Sequence, residues 1–141
     1  MKTLLEYCKP EVKSRVLYLH PVALMILCDA IYWCHDHGIN AVVSDTVSDL
    51  SEDKKLKRTS SSHRDARAWD LSTKGWGIIQ KEALMQYLKN KYKGLGAIGA
   101  ETGEERLIYL HDAGTGEHLH CQIAKHFSMP TRDFTPPTVL G

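Results

Sequence analysis

Two short segments of the chain carry side chains that could hold a metal ion and work on water beside it. The first runs Ser62-His63-Arg64-Asp65-Ala66-Arg67-Ala68-Trp69-Asp70 and the second is Glu117-His118-Leu119-His120. Imidazole nitrogens and carboxylate oxygens are the usual ligands of catalytic zinc, which takes three of them and keeps a fourth position for a water that it acidifies towards neutral pH. His63, Asp70 and His120 form such a set, and Glu117 adds a carboxylate to carry the proton of that water.

Strand periodicity tests whether one surface can present these groups. Residues two apart share a face of a strand, so His118 and His120 point together while Leu119 and Cys121 enter the opposite layer. Glu117 has the wrong parity for that face, which puts it at the strand entrance, where Gly114 and Gly116 permit irregular backbone. His63 and Asp70 cannot share a face of one regular strand either. His63 is therefore expected on a loop and Asp70 inside a strand spanning Ala66 to Leu71.

The elements that must position these groups follow from hydrophobic spacing. Pro21 to His37 reads as the main buried helix, with proline in its first turn, Val22, Met25, Ile26, Cys28, Ile31 and Tyr32 near helical spacing, and Gly38 to end it. Ile39 to Ser44 suits a short strand. Residues 44–62 are polar and include Glu52-Asp53-Lys54-Lys55-Leu56-Lys57-Arg58, which reads as a loop over the site, either simply solvated or a lid that grips substrate. Ile78 to Tyr92 is expected as a second helix with Ile79, Ala83, Leu84, Tyr87 and Leu88 on its apolar side, closed by Gly94. Arg106 to Leu110 and His118 to Ile123 read as a hairpin joined through the glycine-rich residues 112–116. The fold class is α+β, a small antiparallel sheet carrying the site and packed against two main helices. Residues 1–127 form one domain, and Pro130, Pro136 and Pro137 mark 128–141 as an extended tail.

The motifs resemble those of the zinc D-alanyl-D-alanine carboxypeptidases and L-alanyl-D-glutamate endopeptidases, bacterial and phage enzymes that share the hedgehog-type metal fold. Ser61, His63, Ala68 and Asp70 occupy the places of that family's S-x-H-x-x-G-x-A-x-D signature, and Glu117 with His120 fits its second motif, an acidic residue three before a histidine. The resemblance implies a Zn2+ peptidase acting on peptidoglycan stem peptides, with His63, Asp70 and His120 as ligands and Glu117 as base. His118 matches the first histidine of the H-x-H signature in related peptidases, which implies a hydrogen bond to the tetrahedral oxyanion. Arg64 and Ser61, flanking His63, are the substrate-contact candidates, and Ser61 also suits ordering the loop.

The chain departs from the family pattern in three ways. Ala66 stands at the glycine position, a mild change if the backbone there has negative φ. Trp69 is bulky beside the metal carboxylate. The family's arginine after the preceding strand is missing from Val42-Val43-Ser44-Asp45-Thr46-Val47, leaving Arg58, Arg64 or Arg67 to replace it.

Composition narrows the field further. A chain of 141 residues, 43% hydrophobic, suits a single core, and a formal net charge of +1 leaves no polyanion footprint, so nucleic acid is not expected as a partner. Cys8, Cys28, Cys34 and Cys121 form no C-x-x-C pair and read as buried thiols of a reducing compartment. The N-terminus is too charged for a secretory signal and no stretch is long enough to span a membrane, so the expected product is cytoplasmic as synthesised. Reaching a cell wall would need separate release, as a phage holin provides for an endolysin.

Gly94-Leu95-Gly96-Ala97-Ile98-Gly99 spells the dinucleotide string G-x-G-x-x-G, but it follows a helix and leads to a strand, the reverse of what that site requires. His35 and His37 read as helix-end residues, and His20, His111 and His126 have no supporting spacing. Two readings from other classes stand beside the peptidase: a non-catalytic zinc-binding module of the same fold, and a phage structural component. Oligomeric state is left open by the sequence.

Overall fold

The computed structural model describes residues 2–112, 114 and 116–134. Of the features expected from sequence, two residues of the 112–116 hairpin loop and the end of the tail from 135 onwards lie outside the described residues. The architecture is α+β, with strands β1 (Val43–Asp45), β2 (Ala68–Ser72), β3 (Ile108–His111) and β4 (His118–Gln122) and helices α1 (Pro21–Asp36), α2 (Leu50–Lys55) and α3 (Ile78–Lys91). The sheet order is β1-β2-β4-β3, antiparallel throughout. Helix α1 packs on β2, α3 packs on β3, and the two helices pack on each other. Among the described residues no helix is long and apolar enough to cross a membrane.

Helix α1 begins where expected, with Pro21 in its first turn and a ring nitrogen of His20 accepting a hydrogen bond from the Val22 amide at 3.1 Å. Its buried stripe differs from the expected one. Ala23, Ile26, Leu27, Ala30, Ile31 and Cys34 face the core, whereas Met25, Cys28 and Tyr32 are exposed. Apolar residues cover more than half of this helix, so periodicity alone does not select the stripe, and the small Ala23 and Ala30 let the helix lie close to the sheet. The exposed Cys28 corrects the expectation of four buried thiols; Cys8, Cys34 and Cys121 are buried, and all four are free.

Helix α3 buries Leu84 and Leu88, while Ile79 is 79% exposed and so does not belong to the apolar side expected for it. Tyr87 and Tyr92 donate their hydroxyls to Asp29 of α1 at 2.9 and 2.6 Å, and Lys91 pairs with the same carboxylate at 2.8 Å. Polar contacts therefore set how α3 rolls against α1, overriding the hydrophobic spacing.

The polar stretch expected as a loop contains α2, a second correction. Asp49 caps this helix by accepting from the Glu52 amide at 2.9 Å, Glu52 and Asp53 sit in its first turn, and Lys54 and Lys55 sit in its last. Charges arranged in this order suit the helix dipole. Thr46, Ser48, Asp49 and Asp53 are buried. Asp53 accepts from Ser48 and pairs with Arg58 and Arg64, at 3.2 and 3.3 Å respectively, so the segment is a packed wall held by charge. The glycine-rich 94–99 run leaves α3 through Gly94 at φ 93° and opens no helix. The segment after β4 returns to the body, where the Met129 amide donates to the Asp65 carbonyl and the Phe134 amide to Asp49.

Candidate metal centre

The site lies on one face of the sheet, and strand register builds it. Asp70 of β2 is the cross-strand partner of His120, Ser72 of His118, Tyr109 of His120 and His111 of His118. Asp70, His118, His120, Tyr109 and His111 therefore share a face. On the opposite face Leu71, Leu119 and Cys121 join the core with Trp69, whose indole N–H donates to the Ala23 carbonyl at 3.1 Å. Trp69 is thus part of the scaffold beneath the sheet and does not crowd the carboxylate beside it.

His63 reaches this face from the turn before β2. That turn folds tightly: the Asp65 amide donates to the Ser61 carbonyl, the Ala66 amide to the His63 carbonyl and the Arg67 amide to the Ser62 carbonyl. Ala66 has φ 61°, a left-handed conformation that glycine adopts without strain. The condition of negative φ, under which alanine would be a mild replacement, is not met, and the turn is held in spite of it. The Ala66 carbonyl accepts from the His20 amide at 2.9 Å, which fastens the turn to the start of α1.

His63, Asp70 and His120 are all buried, and one ligand atom from each lies within 4.8 Å of the others. His63 Nε2 is 3.3 Å from Asp70 Oδ1, and His120 Nδ1 is 2.8 Å from that oxygen. Ligand bonds of about 2.0–2.2 Å in a tetrahedron space the donor atoms by roughly 3.3 Å, and the two distances to Asp70 lie near that value. The outer nitrogens fit as well. His63 Nδ1 lies 2.6 Å from the Thr46 carbonyl, which only accepts, so Nδ1 carries a hydrogen and Nε2, facing Asp70, is the nitrogen whose lone pair a cation would take once its proton is displaced. His120 Nε2 lies 3.2 Å from Gln122 Oε1, an acceptor ready for the ring proton once Nδ1 takes up a cation. Two imidazoles and one carboxylate form a donor set suited to zinc.

Charge is shared unequally in this group. Burial disfavours a charged His63, but the Asp70 carboxylate outweighs it and holds the imidazole up at about 9. Asp70 would be raised by burial, yet the His63 charge and the hydrogen bonds from His120 and His63 keep it well below the usual carboxylate range. His120 is lowered, first by burial, although its bond to Asp70 acts the other way. One proton thus resides on His63, with Asp70 ionised and His120 neutral.

The remaining residues singled out from sequence are placed around this group. His118 presents Nε2 at 3.5 Å from Asp70 Oδ2, and its Nδ1–H faces the Gly116 carbonyl at 3.2 Å. Glu117 stands just before β4, at the strand entrance, and its carboxylate accepts from Thr73 Oγ1 at 2.9 Å and pairs with Lys81 of α3. The bond from Lys81 first, and that from Thr73 second, lower its pKa. Ser61 donates to Asp65 at 2.6 Å and Arg64 pairs with Asp53, so both are engaged within the turn and the wall. Of the three arginines considered for the missing position, Arg67 is buried and donates to the Ile123 carbonyl, whereas Arg58 pairs with Asp45, the cross-strand partner of Asp70.

Tyr109 and His111 are additions from β3. The Tyr109 ring centroid is 5.1 Å from that of His120, and His111 Nδ1 is 3.4 Å from His118 Nε2. The hairpin contained the signal for both, since pairing 111 with 118 puts 109 opposite 120. No protein-family model, curated protein or solved structure matches the chain.

Proposed function

We propose that the chain is a zinc-dependent peptidase that hydrolyses D-amino-acid-containing stem peptides of bacterial peptidoglycan. The convergence of His63, Asp70 and His120, with Thr46 and Gln122 in place to orient the two rings, is the observation that carries this reading. The resemblance of the two motifs to the D-alanyl-D-alanine carboxypeptidase and L-alanyl-D-glutamate endopeptidase family supplies the substrate class. A zinc ion held by these three residues would supply Lewis acidity for the scissile carbonyl and an acidified water.

The chain's own residues supply the rest. Thr46 and Gln122 stand as acceptors at the outer nitrogens, so that with a cation bound each ring would keep its hydrogen there and turn the inner nitrogen to the ion. Lys81 holds Glu117 ionised, the state required of a group that takes the water's proton and passes it to the leaving amine. That role would require the Glu117 carboxylate to leave Thr73 and turn towards the face that carries His120. His118, beside Asp70, is the partner for the oxyanion, a role that requires a proton on Nε2.

A second reading, a metal-binding module without catalysis, is favoured by one observation: the Glu117 carboxylate is already satisfied by Thr73 and Lys81. Elemental analysis and peptidoglycan hydrolysis on wild type, His63→Ala, His120→Ala and Glu117→Gln separate the two. The peptidase reading expects about one zinc per chain, its loss with either histidine, and a Glu117→Gln protein that keeps zinc but no longer cleaves. Wild type that stays metal-free when zinc is supplied would sink both readings, and zinc without cleavage would establish the module.

A further inference from the structure

Beside the buried group, the same face of the sheet carries a second pair of imidazoles. His111 of β3 and His118 of β4 are direct cross-strand partners. Their rings stand edge to face with centroids 5.2 Å apart, and His111 Nδ1 lies 3.4 Å from His118 Nε2. That separation is long for a hydrogen bond and close to the roughly 3.3 Å that a tetrahedral ion sets between its ligand atoms. His118 Nδ1 lies 3.2 Å from the Gly116 carbonyl, which only accepts, so Nδ1 carries a hydrogen and Nε2 is the nitrogen left for an ion. Asp70 divides its carboxylate between the two groups: Oδ1 faces His63 and His120, and Oδ2 is 3.5 Å from His118 Nε2.

We propose that His111 Nδ1 and His118 Nε2 hold a second divalent cation at the rim of the metal centre, with Asp70 Oδ2 offsetting its charge and water completing its shell. Two imidazoles select a late first-row ion such as zinc, copper or nickel over magnesium and calcium, which take oxygen ligands. The inner position offers three buried ligands, whereas the rim offers two nitrogens, one of them on the exposed His111, so the inner position fills first. On the peptidase reading, the rim ion also occupies the nitrogen with which His118 would meet the oxyanion. Zinc beyond the first equivalent then inhibits cleavage, an effect that rests on that reading whereas the binding does not.

The test is a zinc titration of the full chain as wild type, His111→Gln, His118→Ala and His63→Ala, followed by calorimetry and by nitrogen NMR of the histidine rings. Wild type should take about two ions, the second more weakly, and the second should shift the ring nitrogens of His111 and His118. Calcium and magnesium should leave those signals in place. His111→Gln and His118→Ala should keep the first ion and bind the second at least about tenfold more weakly, while His63→Ala loses the first and keeps the second. In peptidoglycan hydrolysis, His111→Gln should match wild type at one equivalent of zinc and escape inhibition by excess. A wild type that takes one ion only, or a second ion retained by both rim variants, would overturn the site. Excess zinc that inhibits wild type and His111→Gln alike would reject the inhibitory role. If peptidoglycan is cleaved at no zinc level the peptidase reading fails, and the shifts of the His111 and His118 rings still decide the rim site.

Discussion

Loading a cation into this site should expel close to one whole proton at neutral pH, and the reason lies in the unequal sharing around Asp70. His63 must be neutral to offer Nε2, yet the buried carboxylate holds it protonated up to about 9. At pH 7 only about one His63 ring in a hundred is neutral, which weakens metal binding by roughly 3 kcal/mol relative to a ring that is already neutral. An ordinary histidine with the reference value of 6.5 would release only about a quarter of a proton at that pH. Asp70 is ionised and His120 neutral, so neither adds to the count. The assay is calorimetry of cadmium binding at pH 7 in several buffers of different ionisation heat, cadmium being chosen because its bound water is less acidic than that of zinc. A release near one proton per ion, falling towards zero above pH 9, is expected. A value near one quarter would refute the charge arrangement, since the carboxylate would then not be holding the proton on His63.

Two further outcomes follow from the same structure. Without a cation, the His63–Asp70 pair stabilises the fold in a bounded pH window. The raised His63 contributes fully below 6.5 and is lost as pH rises through about 9, while the lowered Asp70 contributes above 3.8 and is lost as pH falls further. Urea unfolding across pH 3 to 10 should therefore weaken at both ends, with added zinc opposing the alkaline loss, and a flat profile would count against the pair. On α3, Leu84→Ala should cost about 2–5 kcal/mol in the same unfolding experiment whereas Ile79→Ala stays within about 0.5 kcal/mol. Equal effects would mean that the helix is rolled otherwise than described.

How far the sequence could be read depended on which interactions fix each part. Strand parity placed Leu119 and Cys121 in the core and His118 with His120 on the site face, because a period of two leaves no freedom once one face is buried. The two main helices also followed from spacing and end signals. Their rotations did not, since Asp29, Tyr87, Tyr92 and Lys91 set the roll of α3 through contacts invisible to periodicity. Helix α2 was hidden because its signals are a cap and a dipole-ordered set of charges, with too few apolar residues to show a stripe. At the site, the His63, Asp70 and His120 group came from motif spacing, whereas Tyr109 and His111 required knowing the hairpin register. The left-handed Ala66 was signalled only by the glycine that the resembled family carries there, because alanine itself gives no signal for positive φ.

The fastening of the His63 turn to the start of α1 bears on the order in which the molecule assembles. His20 holds Ala66, Ala23 holds Trp69, Thr46 holds His63 and Asp70 meets His120. Each of these contacts joins parts of the chain that are distant in sequence, so the ligands converge only after the first helix has docked and the sheet has closed. A divalent ion bound there would recognise the finished molecule and have little hold on earlier, partly collapsed chains. Its presence should be felt mainly as slower unfolding, with the rate of folding hardly altered. The ion would act as a latch set at the last step.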